Sequence, residues 1–221
     1  FHKLNNKLIY KLKPKGIILS GGPNSVLDKK SPKINKFIME LKIPILGICY
    51  GLQILSKELG GIVKKSLSRE YGFSKINIIK KSQIIPKEWN NKDNQVWMSH
   101  GDHVSKIPKN FSIIAKSEND IISIITDEKN KIYGLQFHPE VHHTSLGKIF
   151  IKNFLFKICK AANNWILDDF IKTKINEIKL IVGNNKVICG LSGGVDSSVT
   201  AYLLHKALKK NLFCIFVNHG L

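Results

Sequence analysis

Apolar positions follow two alternating rhythms along the first sixty residues. Unbroken runs at 16–19 (GIIL) and 44–48 (PILGI) read as buried strands. Apolar residues three and four apart, at Ile34, Phe37, Ile38 and Leu41 and again at Leu52, Ile54, Leu55 and Leu59, read as amphipathic helices, the second stopping at Gly60-Gly61. Strand, helix, strand, helix predicts an α/β fold with parallel strands and helices on the faces of the sheet. From 73 to 136 the rhythm changes to short strands at 76–79, 96–98, 113–115, 121–125 and 132–135, divided by Asn, Lys, Pro and Gly clusters. A helix is expected over 145–160. Ala161-Ala162-Asn163-Asn164 reads as a linker, because helical periodicity restarts at Ile166 and runs through Phe170, Ile171, Ile175, Ile178 and Val182. A strand (187–191, VICGL), a glycine turn, a helix (197–209) and a strand (212–217) then make one βαβ unit. The expected domains are 1–162 and 163–221.

The composition is 43% hydrophobic and 23% charged, and no apolar run approaches the roughly 18–20 residues of a membrane span, which excludes disordered, collagenous and transmembrane classes. The formal charge of +19 suggests an anionic partner. Its distribution points elsewhere: Arg69 is the only arginine, and the lysines, with Asn and Ile, are spread along the whole chain rather than gathered in a stripe. Neither a nucleic-acid nor a membrane partner is expected. A tRNA-modifying or RNA-binding protein is the alternative from another class, and it predicts RNA affinity falling steeply with salt. An inactive truncated gene product is the other alternative. Cys49, Cys159, Cys189 and Cys214 show no C-x-x-C spacing, so a reducing, cytoplasmic setting is the expectation and no metal site is assigned. A first residue other than Met, no signal-peptide segment, and an end just after a strand-like run lead to the expectation of a piece of a longer protein.

Cys49 stands between a strand and a helix in the frame Gly47-Ile48-Cys49-Tyr50-Gly51. This G-x-C-x-G is the thiol counterpart of a nucleophile elbow, in which small residues two before and two after let the chain turn sharply. At a helix N-terminus the thiolate is favoured by free N–H groups and the dipole. The competing reading is an inert core cysteine. A thiol nucleophile needs a base and a group to orient it. Phe137-His138-Pro139-Glu140 offers both, since His138 and Glu140 leave an extended chain on the same side. Metal binding by His142, His143, His100, Asp102 and His103 is the rival, but their spacing fits no usual ligand pattern. Ser20-Gly21-Gly22-Pro23, directly after a strand, exposes backbone N–H groups of the kind an oxyanion hole needs, together with that of Tyr50.

SGGP, GICYGLQ, MSHGD (98–102) and FHPEV, in this order and with these separations, resemble the class I glutamine amidotransferase domain, whose fold is a flavodoxin-like mixed sheet with helices on both faces. The resemblance implies a catalytic triad of Cys49, His138 and Glu140, oxyanion donors at Gly22 and Tyr50, and glutamine-binding positions at Gln53, Ser99, Gly101 and Asp102. Read as residues alone, those four keep a serious alternative, since a helix Gln or a loop Asp often only solvates or caps, and His103 and His143 read as solvated or loop histidines. A lone Arg69 hints at a carboxylate or phosphate contact, with a surface salt bridge the equal alternative.

Leu191-Ser192-Gly193-Gly194-Val195-Asp196-Ser197-Ser198 lies between a strand and a helix, where N–H groups and hydroxyls converge on an anion. There is no G-K-[ST], so it is not the usual P-loop. SGGVDSS resembles the pyrophosphate loop of the N-type ATP pyrophosphatases, which implies the first βαβ unit of an adenine-nucleotide α-hydrolase-like, Rossmann-type domain and an ATP site at Ser192, Gly193, Gly194, Val195, Asp196, Ser197 and Ser198. An amidotransferase followed at once by this loop, with Arg69-Glu70-Tyr71-Gly72, VWMSHGD and FHPEVHHT, resembles the glutamine-hydrolysing GMP synthetase family. The phosphate charge of ATP implies Mg²⁺, and the likeness implies a ligase of purine nucleotide biosynthesis that aminates XMP to GMP with glutamine and ATP, releasing AMP and pyrophosphate. It also implies a homodimer formed through a region outside this chain, together with an upstream strand and helix. The family reads V-D-N-G-L where this chain has Val217-Asn218-His219-Gly220-Leu221, an amide in place of a carboxylate.

Overall fold

The computed structural model describes residues 6–35, 37–89, 94–164 and 167–217, leaving aside the side chains of 67–69 and 168. The chain divides into two compact units, Phe1–Ala161 and Ala162–Leu221.

The first unit contains helices α1 (Asn6–Leu12), α2 (Phe37–Glu40), α3 (Tyr50–Glu58) and α4 (Gly147–Lys152). Its strands are β1 (Ile17–Leu19), β2 (Ile45–Ile48), β3 (Ile62–Ile78), β4 (Gln95–Lys106), β5 (Ser112–Ser117), β6 (Ile122–Asp127) and β7 (Ile132–Leu135). They form one sheet in the order β1-β2-β7-β6-β5-β3-β4. β1, β2 and β7 run parallel, with Leu19 beside Gly47 and Gly47 beside Gly134, while the pairs from β7 out to β4 are antiparallel.

Alternation along β2 assigns the faces. Leu46 and Ile48 join a core with Tyr133, Leu135, Phe150, Phe154 and Ile158, which α4 and its continuation cover. Ile45 joins the other core, with Ile9 of α1, Ile38 of α2, and Leu52, Ile54 and Leu55 of α3. The result is a mixed α/β sheet with helices on both faces. α3 is buried from Tyr50 through Ser56. Each of its large apolar side chains contributes about 1.5–3 kcal/mol on burial, which pins the start of α3 against the strand ends.

Three local expectations change. The stretch 34–41 gives only a four-residue helix, α2. The short strands expected at 76–79 and 96–98 belong to two long ones, and MSHGD with His103 lies in strand β4 rather than in a loop. Polar residues at 64–75 mask the apolar alternation of β3, since this hairpin buries one face and leaves the other to solvent. The helix expected over 145–160 is α-helical only to Lys152 and continues as a π-helix, Asn153–Ile158. There the buried Asn153 amide donates to the Ile84 and Ile85 carbonyls at 3.1 and 3.2 Å, and the register widens to i→i−5 at Cys159 N–H to Phe154 O.

The second unit comprises α5 (Leu167–Val182), β8 (Val187–Leu191), α6 (Val195–Leu208) and β9 (Leu212–Phe216). A 3₁₀ turn, Lys209–Asn211, leads into β9. β8 and β9 pair in parallel. Their two-stranded sheet leaves Ile188, Phe213, Ile215 and Phe216 exposed, and Leu180 and Ile181 of α5 are exposed as well. Parallel sheets are ordinarily covered on both faces, so the described residues of this unit hold little core. Among the described residues no helix is long and apolar enough to cross a membrane.

Candidate active site

Three neighbouring parallel strands end together, and each hands its next residues to one place. β1 is followed by Ser20-Gly21-Gly22, β2 by Cys49, and β7 by Gln136-Phe137-His138. The carboxyl ends of parallel strands are the usual location of ligand sites in such sheets. Ladder bonding continues one step past β2, because Cys49 N–H donates to Leu135 O at 2.7 Å. Residue 138 is therefore brought beside residue 49 by the sheet itself.

Cys49 sits at φ 50°, ψ −107°, outside the comfortable regions for a side chain bearing a Cβ. Two glycines make that bend possible. A Cβ on Gly47 would lie 2.6 Å from the Gly51 carbonyl carbon, and one on Gly51 would overlap the Leu19 carbonyl oxygen. The Tyr50 hydroxyl donates to the Pro32 carbonyl at 2.5 Å, anchoring the first turn of α3.

His138 Nδ1 and a Glu140 carboxylate oxygen are 2.7 Å apart. A hydrogen bond with Cys49, then the one with Glu140, push the His138 pKa up to about 10 against the opposing effect of burial. On Glu140 burial acts upward, but the bond from His138 and a backbone N–H prevail and hold the carboxyl below its usual range. Gly21 closes the third side: a Cβ there would stand 2.8 Å from His138 Cε1 and 3.6 Å from Cys49 Cβ. The three residues thus form a thiol–imidazole–carboxylate chain against the Gly-Gly turn, an arrangement suited to acyl transfer.

A cavity of about 730 Å³ opens over them. All nine sequence-predicted residues of this unit line it: Cys49, His138, Glu140, Gly22, Tyr50, Gln53, Ser99, Gly101 and Asp102. Cys49 Sγ faces the Ser99 carbonyl at 3.7 Å. Gln53, buried in α3, donates to the Asp102 carbonyl at 2.8 Å, and the Asp102 carboxylate accepts from Ser25 Oγ.

In the second unit the loop after β8 turns through Gly193 at φ +83° into α6, whose N-cap is Gly194. Ser192 N–H donates to Ser197 Oγ at 3.2 Å, and the two hydroxyls meet at 3.0 Å. Ser198 Oγ donates to the Gly194 carbonyl at 2.9 Å. The residues from Ser192 to Ser198 thus form one open turn at a helix N-terminus. Asn218, His219, Gly220 and Leu221 lie outside the described residues, and so does the Arg69 side chain.

The family model for class I glutamine amidotransferases matches residues 2–158, the stretch that carries the elbow, the turn and the histidine. The chain belongs to that family. A model for NAD synthase matches residues 165–220 of this amidotransferase chain. Curated relatives include the glutamine-hydrolysing GMP synthases of Lactobacillus johnsonii, 51% identical over all of this chain and 42% of the relative, and of Aquifex aeolicus, 50% identical over 96% and 41%. The chain therefore spans about two fifths of the length of the curated relatives it matches. Among solved structures, a Thermoplasma acidophilum protein described as a candidate component of GMP synthase is 29% identical, covering 66% of this chain and 73% of its own, at a TM-score of 0.54.

Two features of the amidotransferase site escaped the sequence. Ser25 holds Asp102, and Thr144 ties two segments together, accepting from Trp97 N–H at 3.1 Å and donating to the His138 carbonyl at 2.5 Å. A lone Ser or Thr in a loop carries no signal of its own; only the distance in space shows its partner. His143, expected as a solvated or loop residue, stacks on Trp97 with ring centroids 4.3 Å apart. No group of three or more His, Cys, Asp or Glu suited to a metal occurs among the described residues.

Proposed function

We propose that the chain hydrolyses glutamine at Cys49 and, within the longer protein, supplies the ammonia for ATP-dependent amination of XMP to GMP. The observation that carries the reading is the Cys49–His138–Glu140 chain at the elbow, with the 2.7 Å His138–Glu140 bond. Cys49 Sγ attacks the side-chain carbonyl carbon of glutamine, and the negative charge gathering on its oxygen is met by the N–H groups of Gly22 and Tyr50. Collapse breaks the carbon–nitrogen bond while His138, held by Glu140, gives its proton to the departing ammonia. A glutamyl thioester remains, and water, deprotonated by His138, frees glutamate and the thiol. Gln53, Ser99, Gly101 and Asp102 hold the amino-acid end of the substrate.

The loop from Ser192 to Ser198 is the proposed pyrophosphate cradle for ATP, through backbone N–H groups and the Ser192, Ser197 and Ser198 hydroxyls. Asp196 is the carboxylate of its first helical turn. That donor set suits a magnesium ion arriving on the phosphates, which ordinarily takes one or two carboxylates plus phosphate oxygens; bound there, it neutralises phosphate charge. The XMP oxygen attacks the α-phosphorus of ATP and pyrophosphate leaves; ammonia then attacks the carbon bearing the adenylated oxygen, and AMP leaves with that oxygen to give GMP. Ser192→Ala is expected to weaken ATP binding about tenfold, read by equilibrium titration with ATP; unchanged affinity would count against the cradle.

The direct test of the first site is glutamate release from glutamine by the chain, with ammonia measured in parallel. Glu140→Gln tests the electrostatics. Because Glu140 helps raise His138 to about 10, its removal must lower that pKa, so the alkaline limb of hydrolysis moves to lower pH and kcat falls by about 10²-fold. The stability sign follows the same direction. His138 has a folded pKa above the unfolded ~6.5, so its stabilisation is complete below that value and is lost as pH rises through about 10. Thermal midpoints of wild type and Glu140→Gln should converge toward pH 10, and a gap that persists there would contradict the assignment.

A further inference from the structure

The buried face of β4 reads Val96, Met98, His100, Asp102, Val104, so two polar side chains interrupt an apolar row. Both interruptions line the cavity over Cys49. Asp102 is held by Ser25, and its carbonyl by Gln53. His100 is held differently. Its Nε2 donates to a Glu70 carboxylate oxygen at 3.1 Å, and both side chains are almost wholly withdrawn from solvent. The second Glu70 oxygen accepts from Ser117 Oγ and from Asn119 Nδ2, each at 2.8 Å. One carboxylate therefore ties β3, β4, β5 and the turn after β5 at a single point.

That point has a position in the ladder. Pairing of β3 with β4 breaks after Lys65↔Asp102 and resumes at Glu70↔His100. The irregular stretch lies directly opposite Gly101, in the wall that faces Cys49. Hydrogen bonding alone leaves such a stretch free to slip. Glu70 carries no proton in the proposed chemistry, yet burying a carboxylate is costly unless it is fully bonded, and an apolar pair of the same volume commonly serves stability as well or better. Its three hydrogen bonds prevail over burial and keep the carboxyl below its usual range, so it is ionised and His100 Nε2 must be the donor. His100 Nδ1 has no partner among the described residues, so the ring is oriented through the Glu70 bond.

We propose that Glu70, acting through His100, is a positioning residue of the glutamine site: it fixes the Ser99–Gly101–Asp102 wall at the distance from Cys49 at which a glutamine side chain is gripped. The inference rests on the reading of the site as a glutaminase. Ser25 and Gln53 clamp the wall at Asp102, and Glu70 clamps it at His100, one residue from the Ser99 carbonyl that faces Sγ.

The test compares Glu70→Ala and the conservative Glu70→Gln with wild type, in the full chain, by glutamine hydrolysis and by alkylation of Cys49. Glu70→Ala is expected to raise the KM for glutamine about tenfold while kcat changes less than about threefold. Alkylation by a chloroketone analogue of glutamine slows in step with KM, while alkylation by iodoacetamide, which needs only an accessible thiolate, keeps its rate. Glu70→Gln falls between. An unchanged KM overturns the inference, and so does equal loss of both alkylation rates, the mark of general damage to the fold. Where Glu70→Ala does not fold, Ser117→Ala removes one of the three bonds and should raise KM about twofold, no rise being the contrary result. If the wild-type chain releases no glutamate, the glutaminase reading fails by itself. The same variants are then compared by amide hydrogen exchange over 98–102, where unchanged protection overturns the positioning role independently.

Discussion

Cys49→Ala is expected to abolish glutamate release from glutamine, with a loss of about 10⁴-fold or more, because the reaction then lacks the atom on which the glutamyl group is carried. The fold should survive. Cys49 is buried among Leu46, Ile48 and Leu135, and removing one sulfur from that core costs on the order of 1 kcal/mol. In the complete protein the same substitution separates the two proposed sites: synthesis from glutamine disappears, whereas synthesis from added ammonium salts continues. Parallel loss of both activities would mean that the thiol serves the second site as well, and the two-site scheme would be discarded. Cys49→Ser is a stricter version, because a hydroxyl in the same bend keeps the shape and loses the nucleophilicity of a thiolate.

Gly51→Ala is expected to be strongly damaging. In an open helix the change would stabilise by up to about 1 kcal/mol. Here the added carbon overlaps the Leu19 carbonyl oxygen, which belongs to β1 and is held by its pairing with β2. Neither partner has room to yield, so a cost of about 3 kcal/mol is expected, lowering the melting midpoint by roughly 6–12 °C for a chain of this size. Glutaminase activity should fall further than stability, because α3 can relieve the overlap only by carrying Tyr50 N–H and Cys49 away from the Gly-Gly turn. A melting midpoint equal to or above that of wild type would show that the elbow is looser than its geometry implies.

The elbow was legible because its requirement is local. A bend that places Cys49 at φ 50° needs small neighbours within two residues, and G-x-C-x-G states that need inside five letters. His138 and Glu140 were legible for a similar reason, being two apart on one extended segment. The turn after β8 was readable as strand, glycines and hydroxyls in a row. Harder to read was the β3–β4 hairpin, whose strands run 17 and 12 residues. Its alternation is diluted by lysines on the solvent side and by His100 and Asp102 on the buried side, so apolar periodicity, the main signal for a strand, was weakest where polar residues interrupt the buried row. The π-helical turn at Asn153 was invisible too, since its cause is a pair of carbonyls about seventy residues earlier.

By itself the sequence determined the sharp G-x-C-x-G turn that carries Cys49, the close pair His138 and Glu140 proposed to serve it, and the strand–glycine–hydroxyl turn of the second unit. Each depends on the conformational limits of a few adjacent residues. What only the tertiary structure decided was distance. The parallel pairing of β2 with β7 sets His138 beside Cys49 across almost ninety positions of chain, β1 delivers Gly21 to the same edge, and Glu70, Ser25 and Thr144 bond across segments far apart in sequence. Those placements arise from burial and strand register summed over the whole sheet, and no short stretch of sequence contains that sum.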